Sequence, residues 1–186
     1  MTGAERTGDE RLPEEPAVRV SEVPELAELA GRLHELLLRN RQTVAVAESL
    51  TGGLLAAALT GTPGASATFR GGLVVYATDL KARLAGVPEP LLARLGAVDP
   101  QVALELARGV RARLSASWGI GVTGVAGPDA QDGRPVGTVF VAVAGPEEGA
   151  EAVSELALAG DRNSIRRQSV AHCVGLLLNV AGRASI

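Results

Sequence analysis

Apolar residues recur at two spacings along this chain, and the switches between them outline its elements. In PELAELAGRLHELLLRN, residues 24–40, they fall three and four positions apart. That is one face of a helix, with proline near its start where a missing N–H costs little. TVAVAE (43–48) is too short and too apolar for such a face and reads as a buried strand. LLAAALTGTPG (54–64) returns to helix and is stopped by Gly61, Pro63 and Gly64. GGLVVYA (71–77) is a second strand, and DLKARLAG (79–86) and PEPLLARLG (88–96) are short helices, each followed by glycine. DPQVALELARGVRARLSA (99–116) is a longer amphipathic helix, with Asp99 as its cap and Pro100 at its first position.

WGIGVTGVAG (118–127) is a third strand running into a loop. VGTVFVAVA (136–144) and EAVSELALA (151–159) are two more, and the GPEEGA between them is too short for a helical crossover. They form an antiparallel hairpin. From Asp161 the pattern is helical almost to the end. Helices alternating with strands early and a late hairpin predict an α/β fold: a three-layer α/β/α sandwich on a mixed sheet of about five strands. Residues 1–21 are polar and acidic, with Pro13 and Pro16, and read as a disordered tail. Residues 22–186 are expected to form one domain.

Composition narrows the function. A chain of 186 residues, 46% hydrophobic, can bury a substantial core. No apolar run approaches the roughly 20 residues that span a bilayer, and the N-terminus lacks a signal-peptide stretch. The lone Cys173 cannot form an internal disulfide and reads as a small buried hydrophobe. These features point to the cytoplasm and to no membrane partner. A net charge of −3 and 2% aromatics argue against nucleic acid. Of 18 basic residues only Lys81 is lysine. Burial can deprotonate lysine but not arginine, so a lysine kept in an arginine-biased chain is a candidate base. Chance retention is the alternative.

The stretch VAVAESLTGG (44–53) carries the candidate chemistry. A strand ending at Glu48 and a helix starting near Leu50 put Ser49 at the carboxyl edge of the sheet, where open α/β sheets bind ligands. The amides of Leu50, Thr51, Gly52 and Gly53 would then be free to hold an anion. Gly52 and Gly53 would let a ligand approach the backbone. Alternatively Ser49 is only a helix cap and the glycines serve packing. GIGVTG (119–124) matches G-x-G-x-x-G but lies in a strand pattern with no helix after it, so it is not a dinucleotide site. His34 and His172 sit in separate helices without ligand spacing, and no metal or cofactor is expected.

AESLTGG, FRGGLVVYATDLKARLAGV, GAVDPQVALELARG, GVTGVAGPDAQDGRPVGTVFVAV and GDRNSIRRQSV occur here in that order. This series resembles the CinA carboxy-terminal domain family, the nicotinamide-nucleotide amidohydrolases or nicotinamide mononucleotide deamidases. The resemblance runs from about Leu26 to the C-terminus, without the larger N-terminal domain of full-length CinA proteins. It implies hydrolysis of the carboxamide of nicotinamide mononucleotide to nicotinate mononucleotide and ammonia. The family nucleophile falls on Ser49, its catalytic lysine on Lys81 and its motif tyrosine on Tyr76. The resemblance also implies a homo-oligomer. Ala77, Thr78 and Asp79 depart from the family's YSNExK, and Ala130 from its glycine.

For that chemistry Lys81 would have to be neutral, with Thr51, Gly52, Gly53 and Thr123 as substrate-binding neighbours. Arg162 and Arg166 stand one helical turn apart and are candidates for the 5′-phosphate. A salt bridge to Asp161 or a neighbouring subunit is the alternative. GPDAQDGRPVG (127–137) is expected to supply a loop over the ligand, with Arg134 either part of it or only a solvated loop residue. A rival reading is a non-catalytic nucleotide-binding or competence-associated interaction module, which needs the crevice but not the Ser-Lys pair.

Overall fold

The computed structural model describes residues 24–147 and 149–183, so the stretch 1–21 read as a disordered tail lies outside the described residues. A five-stranded mixed sheet runs in the order β2-β1-β3-β4-β5. The strands are β1 (Val44–Glu48), β2 (Phe69–Val74), β3 (Trp118–Gly124), β4 (Thr138–Ala144) and β5 (Glu151–Ala157). β1 is parallel to both β2 and β3, while β4 and β5 add antiparallel beyond β3. The mixed sheet and its terminal hairpin agree with the sequence pattern.

Helices cover both faces. On one side lie α1 (Pro24–Arg39), α2 (Leu54–Thr60) and α7 (Arg162–Arg183). Leu33, Leu37, Leu55, Leu59 and Leu177 pack there against Val44, Val46, Ile120 and Val122. On the other lie α4 (Thr78–Ala85), α5 (Glu89–Leu95) and α6 (Pro100–Arg113), where Ala85, Leu92, Val102, Leu106 and Val110 pack against Ala45 and Ala47. Valine on one face of β1 and alanine on the other follow the two-residue period of a strand, and the small face lets α6 approach closely.

The approach is closest at β3. A Cβ on Gly121 would lie 2.2 Å from the Ala103 carbonyl oxygen, and one on Gly119 2.0 Å from that of Ala107. Gly119 and Gly121 of GIGVTG therefore seat α6 on the sheet, while Gly124 faces β4, where a Cβ would lie 2.6 Å from the Thr138 carbonyl oxygen. Asp99 caps α6 as expected, accepting the Gln101 N–H at 2.8 Å.

Three local details differ from the sequence reading. A short α3 (Ala65–Thr68) follows the Gly61–Gly64 breakers. β2 begins at Phe69, because pairing with β1 starts at Val44↔Phe69 and ends at Glu48↔Val74, leaving Tyr76 in the loop beyond. α2 begins at Leu54 with Gly53 at its cap position, so Ser49 is not a helix cap. Among the described residues no helix is long and apolar enough to cross a membrane.

Candidate active site

β1 ends at Glu48, and residues 49–53 turn before α2 starts. Gly52 and Gly53 have φ of 58° and 96°, the left-handed region that glycine enters at little cost. These two residues are therefore needed for the shape of the turn, which answers why glycine stands at both. The Glu48 carboxylate, fully buried, replaces the missing cap. Its Oε2 accepts the N–H of Gly53 at 2.9 Å and of Leu55 at 3.1 Å, and its Oε1 that of Ala56 at 2.8 Å. From the other side Arg166 donates to the carbonyls of Leu50 at 3.0 Å and Thr51 at 2.8 Å. The turn is thus gripped by an anion on its amides and a cation on its carbonyls.

This changes which amides are available. Gly52 N–H bonds the Ser49 carbonyl at 3.1 Å and Gly53 N–H is held by Glu48, so the expectation of four free amides is corrected to two. Among the described residues, the amides of Leu50 and Thr51 have no hydrogen-bond partner. Ser49 itself is fixed through its own N–H, which bonds the Val122 carbonyl at 3.1 Å.

Lys81 lies in the middle of α4 and is 1% exposed. Its Nζ is 3.1 Å from Ser49 Oγ, 2.8 Å from the Val75 carbonyl oxygen and 3.2 Å from that of Tyr76. An ammonium can donate to all three. A neutral amine can donate to the two carbonyls and turn its lone pair to the Ser49 hydroxyl. Burial favours the neutral form and pulls the Lys81 pKa down from 10.5 to about 8, against the opposing pull of Asp132. No carboxylate is hydrogen-bonded to this lysine among the described residues.

A cavity of about 270 Å³ opens beside Ser49, walled by Tyr76, Val98, Thr123, the loop after β3 and Arg162. Thr123 is buried and donates to the Ala97 carbonyl at 2.7 Å. Arg162, at the start of α7, spans the mouth: it donates to the Gly127 carbonyl at 2.6 Å and to the Tyr76 hydroxyl oxygen at 2.9 Å. The alternative, a salt bridge to Asp161, does not form among the described residues; that carboxylate accepts the Ser164 N–H at 2.7 Å. Roomier grooves between α5 and α6 and between α1 and α7 are not lined by Ser49, Lys81 or Cys173.

The fold therefore gathers Ser49, Lys81, Tyr76, Thr123 and Arg162 at one sheet edge. Thr51, Gly52 and Gly53 belong to the turn itself and Arg166 holds it, and none of the four lines the cavity. Arg166 is already committed to two carbonyls, and the Thr51 hydroxyl is buried without a hydrogen-bond partner among the described residues. Glu48 escaped the sequence reading, although a carboxylate closing an otherwise apolar strand was its signal. Asp132 escaped it too, with no signal in its loop. Arg134 is not merely solvated: it stacks 5.4 Å over the Phe140 ring and lies 3.8 Å from Asp99. Cys173 is buried, with its thiol pKa pushed up by that burial. His34 packs between Leu59 and Thr68, bonding the Leu59 carbonyl at 2.9 Å.

A buried Ser-Lys contact at the carboxyl edge of a mixed α/β/α sheet defines the class of architecture. The chain belongs to the CinA C-terminal domain family, whose family model matches residues 26–181. It is 49% identical over 149 residues to a CinA-like protein of Frankia casuarinae, covering 80% of this chain and 34% of that protein. It is 52% identical over 125 residues to a CinA-like protein of Acidobacterium capsulatum, covering 67% of this chain and 30% of that one. The chain thus spans about a third of these curated relatives. Among solved structures it resembles the competence/damage inducible protein CihA from Agrobacterium tumefaciens, with TM-score 0.80, 35% identity and coverage of 84% of this chain and 95% of that one. A competence or damage-inducible protein from Enterobacter asburiae matches with TM-score 0.80, 30% identity and coverage of 84% and 98%.

Proposed function

We propose that this chain hydrolyses the carboxamide of nicotinamide mononucleotide, giving nicotinate mononucleotide and ammonia. The carrying observation is Lys81 Nζ at 3.1 Å from Ser49 Oγ, with two carbonyls ready to hold the amine's remaining hydrogens. An amide is a poor electrophile, and a serine hydroxyl is barely ionised near neutrality. A base must take its proton as the oxygen attacks. Ser-Lys pairs do this on other folds.

The sequence of steps follows from the donors present. Neutral Lys81 accepts the Ser49 proton while Oγ bonds to the carboxamide carbon. The resulting oxyanion is met by the unpartnered amide of Leu50, a residue of the cavity wall, where such a donor is typically worth about 3–4 kcal/mol. The C–N bond then breaks, and the Lys81 ammonium gives its proton to the departing nitrogen, releasing ammonia. Water attacks the acyl-serine with Lys81 again as base, and the carboxylate leaves. Tyr76 and Arg162 act at the mouth. Arg162 supplies the cation for the 5′-phosphate, and its Nη2 already rests on the Tyr76 hydroxyl. Arg166, fixed on the turn, acts through Ser49 rather than on substrate.

On this reading the enzyme is a cytoplasmic, cofactor-independent amidohydrolase working as a homo-oligomer. A non-catalytic interaction module would keep the cavity without needing a lysine beside the serine. The reading is tested by ammonia release from purified protein given either nicotinamide mononucleotide or free nicotinamide. Release from the nucleotide only is expected. Equal release from both would mean that the phosphate is not read, and release from neither would favour the binding module.

A further inference from the structure

Glu48 takes no part in the steps above, yet it reaches towards both members of the Ser-Lys pair. Its carbonyl accepts the Val75 N–H at 2.8 Å, and the Val75 carbonyl in turn accepts Lys81 Nζ. Its carboxylate holds the start of α2 through the amides of Gly53, Leu55 and Ala56. Ser49 is the next residue. The stretch from Ser49 to Gly52 is therefore a closed ring, shut by the bond from Gly53 back to the Glu48 side chain.

A helix is commonly capped by a serine, asparagine or aspartate at its own first position, but Gly53 stands there and has no side chain to offer. A buried carboxylate is the costlier solution, tolerable only when its oxygens are filled. A side chain at position 53 would satisfy α2 alone. One from position 48 does that and also locks α2 to the residue before the serine. Three donors face it, and an ionised carboxylate accepts from all three with no hydrogen of its own in the way. Arg166 grips the same ring through the Leu50 and Thr51 carbonyls. Within the ring, Ser49 has its N–H on the Val122 carbonyl and its own carbonyl on the Gly52 N–H. Both backbone groups of the serine are thus tied.

We propose that Glu48, on the reading of Ser49 as the nucleophile, is a positioning residue: by closing this ring its carboxylate holds Ser49 Oγ against Lys81 Nζ. Neither Glu48 nor any residue of α2 lines the cavity, so its loss should slow the chemical step and spare substrate binding. A carboxylate that served only the stability of α2 would lower the melting temperature and leave kcat of the folded protein unchanged. Glu48→Gln keeps the shape but puts an NH2 where one oxygen stood, so a donor meets a donor at Ala56 or at Gly53 and Leu55. Glu48→Asp keeps the charge, one methylene short of the amides.

The test measures ammonia release from nicotinamide mononucleotide by wild type, Glu48→Gln and Glu48→Asp, at a temperature where circular dichroism shows each to be folded. On the same preparations the rate at which phenylmethylsulfonyl fluoride sulfonylates Ser49 is followed by mass spectrometry, with Ser49→Ala marking the site. The expected result is a kcat lower by about tenfold or more in both variants, as for a misplaced reacting atom. KM should stay within about twofold of wild type, and sulfonylation should slow alongside kcat. A folded Glu48→Gln whose kcat and sulfonylation rate stay within about threefold of wild type overturns the inference, as does a raised KM at unchanged kcat. Should Glu48→Gln not fold, Glu48→Asp decides by the same measures. A wild type that releases no ammonia, but whose sulfonylation depends on Glu48, would leave Glu48 its role and remove the hydrolase reading. Ammonia release that both variants match would do the reverse. A wild type inert to nucleotide and reagent alike would remove Ser49 as nucleophile and the inference with it.

Discussion

Lys81 Nζ stands 3.1 Å from Ser49 Oγ across 32 positions of sequence, with the Val75 and Tyr76 carbonyls as its other hydrogen-bond partners among the described residues. The serine arrives on the turn after β1 and the lysine on α4, so the contact exists only because β2 lies beside β1 in parallel. If Lys81 is the base, Lys81→Arg should be nearly as inactive as Lys81→Met, since arginine keeps the charge but cannot act as a neutral acceptor. A purely electrostatic role predicts rescue by arginine. Turnover of the wild type should rise with pH through about 8, because only the deprotonated amine can take the serine proton. A rate-against-pH series on the three proteins, with folding followed by circular dichroism, checks both statements.

The same lysine should cost stability. Its pKa is about 8 when folded and 10.5 as the ordinary value, so between those pH values the unfolded chain binds more protons. Stability therefore rises as pH climbs from about 8 towards 10.5, by on the order of 3 kcal/mol in all. Lys81→Met removes that dependence but strands the Val75 and Tyr76 carbonyls, at about 1 kcal/mol each. The variant should be at least as stable as wild type at pH 7 and lose its advantage by pH 10. Urea unfolding at the two pH values measures this.

Arg162 bridges the cavity mouth through neutral oxygens, so its charge is available to a ligand. Arg162→Ala should weaken nicotinamide mononucleotide by about 1.5–3 kcal/mol, the usual worth of a charge-assisted bond, and weaken the dephosphorylated riboside far less. Calorimetric titration of both ligands into wild type and variant separates these. Equal losses would show that Arg162 does not read phosphate.

Gly121→Ala tests the packing argument. Its new Cβ would lie 2.2 Å from the Ala103 carbonyl and 2.6 Å from the Ala107 amide nitrogen, both in helix backbone that cannot rotate aside. A loss of about 1–3 kcal/mol or more is expected from such overpacking, read as a lower melting temperature. An unchanged melting temperature would mean that α6 can shift freely, and that GIGVTG needs another explanation.

Much of this was legible in the chain. The short apolar run of β1, the cap at Asp99 and the short GPEEGA connection each act locally, so they showed in the pattern and led to the sheet and its hairpin. Lys81 stood out because composition isolated it. The turn was misjudged because its partners are distant: Arg166 lies more than a hundred positions away, and only the folded chain brings it onto Leu50 and Thr51. Without that contact Arg162 and Arg166 looked equivalent, although one faces the cavity and the other props the turn. Asp132 belongs to the same class, since its bonds to Ala97 and Val98 depend on where two loops meet.

The most direct measurement compares wild type with Ser49→Ala for ammonia release from nicotinamide mononucleotide, with nucleotide affinity determined on the same preparations. The account predicts ammonia from wild type in step with nicotinate mononucleotide, and none from Ser49→Ala above the uncatalysed rate, at nearly unchanged affinity. Turnover by folded Ser49→Ala within tenfold of wild type, or silence from wild type that still binds the nucleotide, would contradict it.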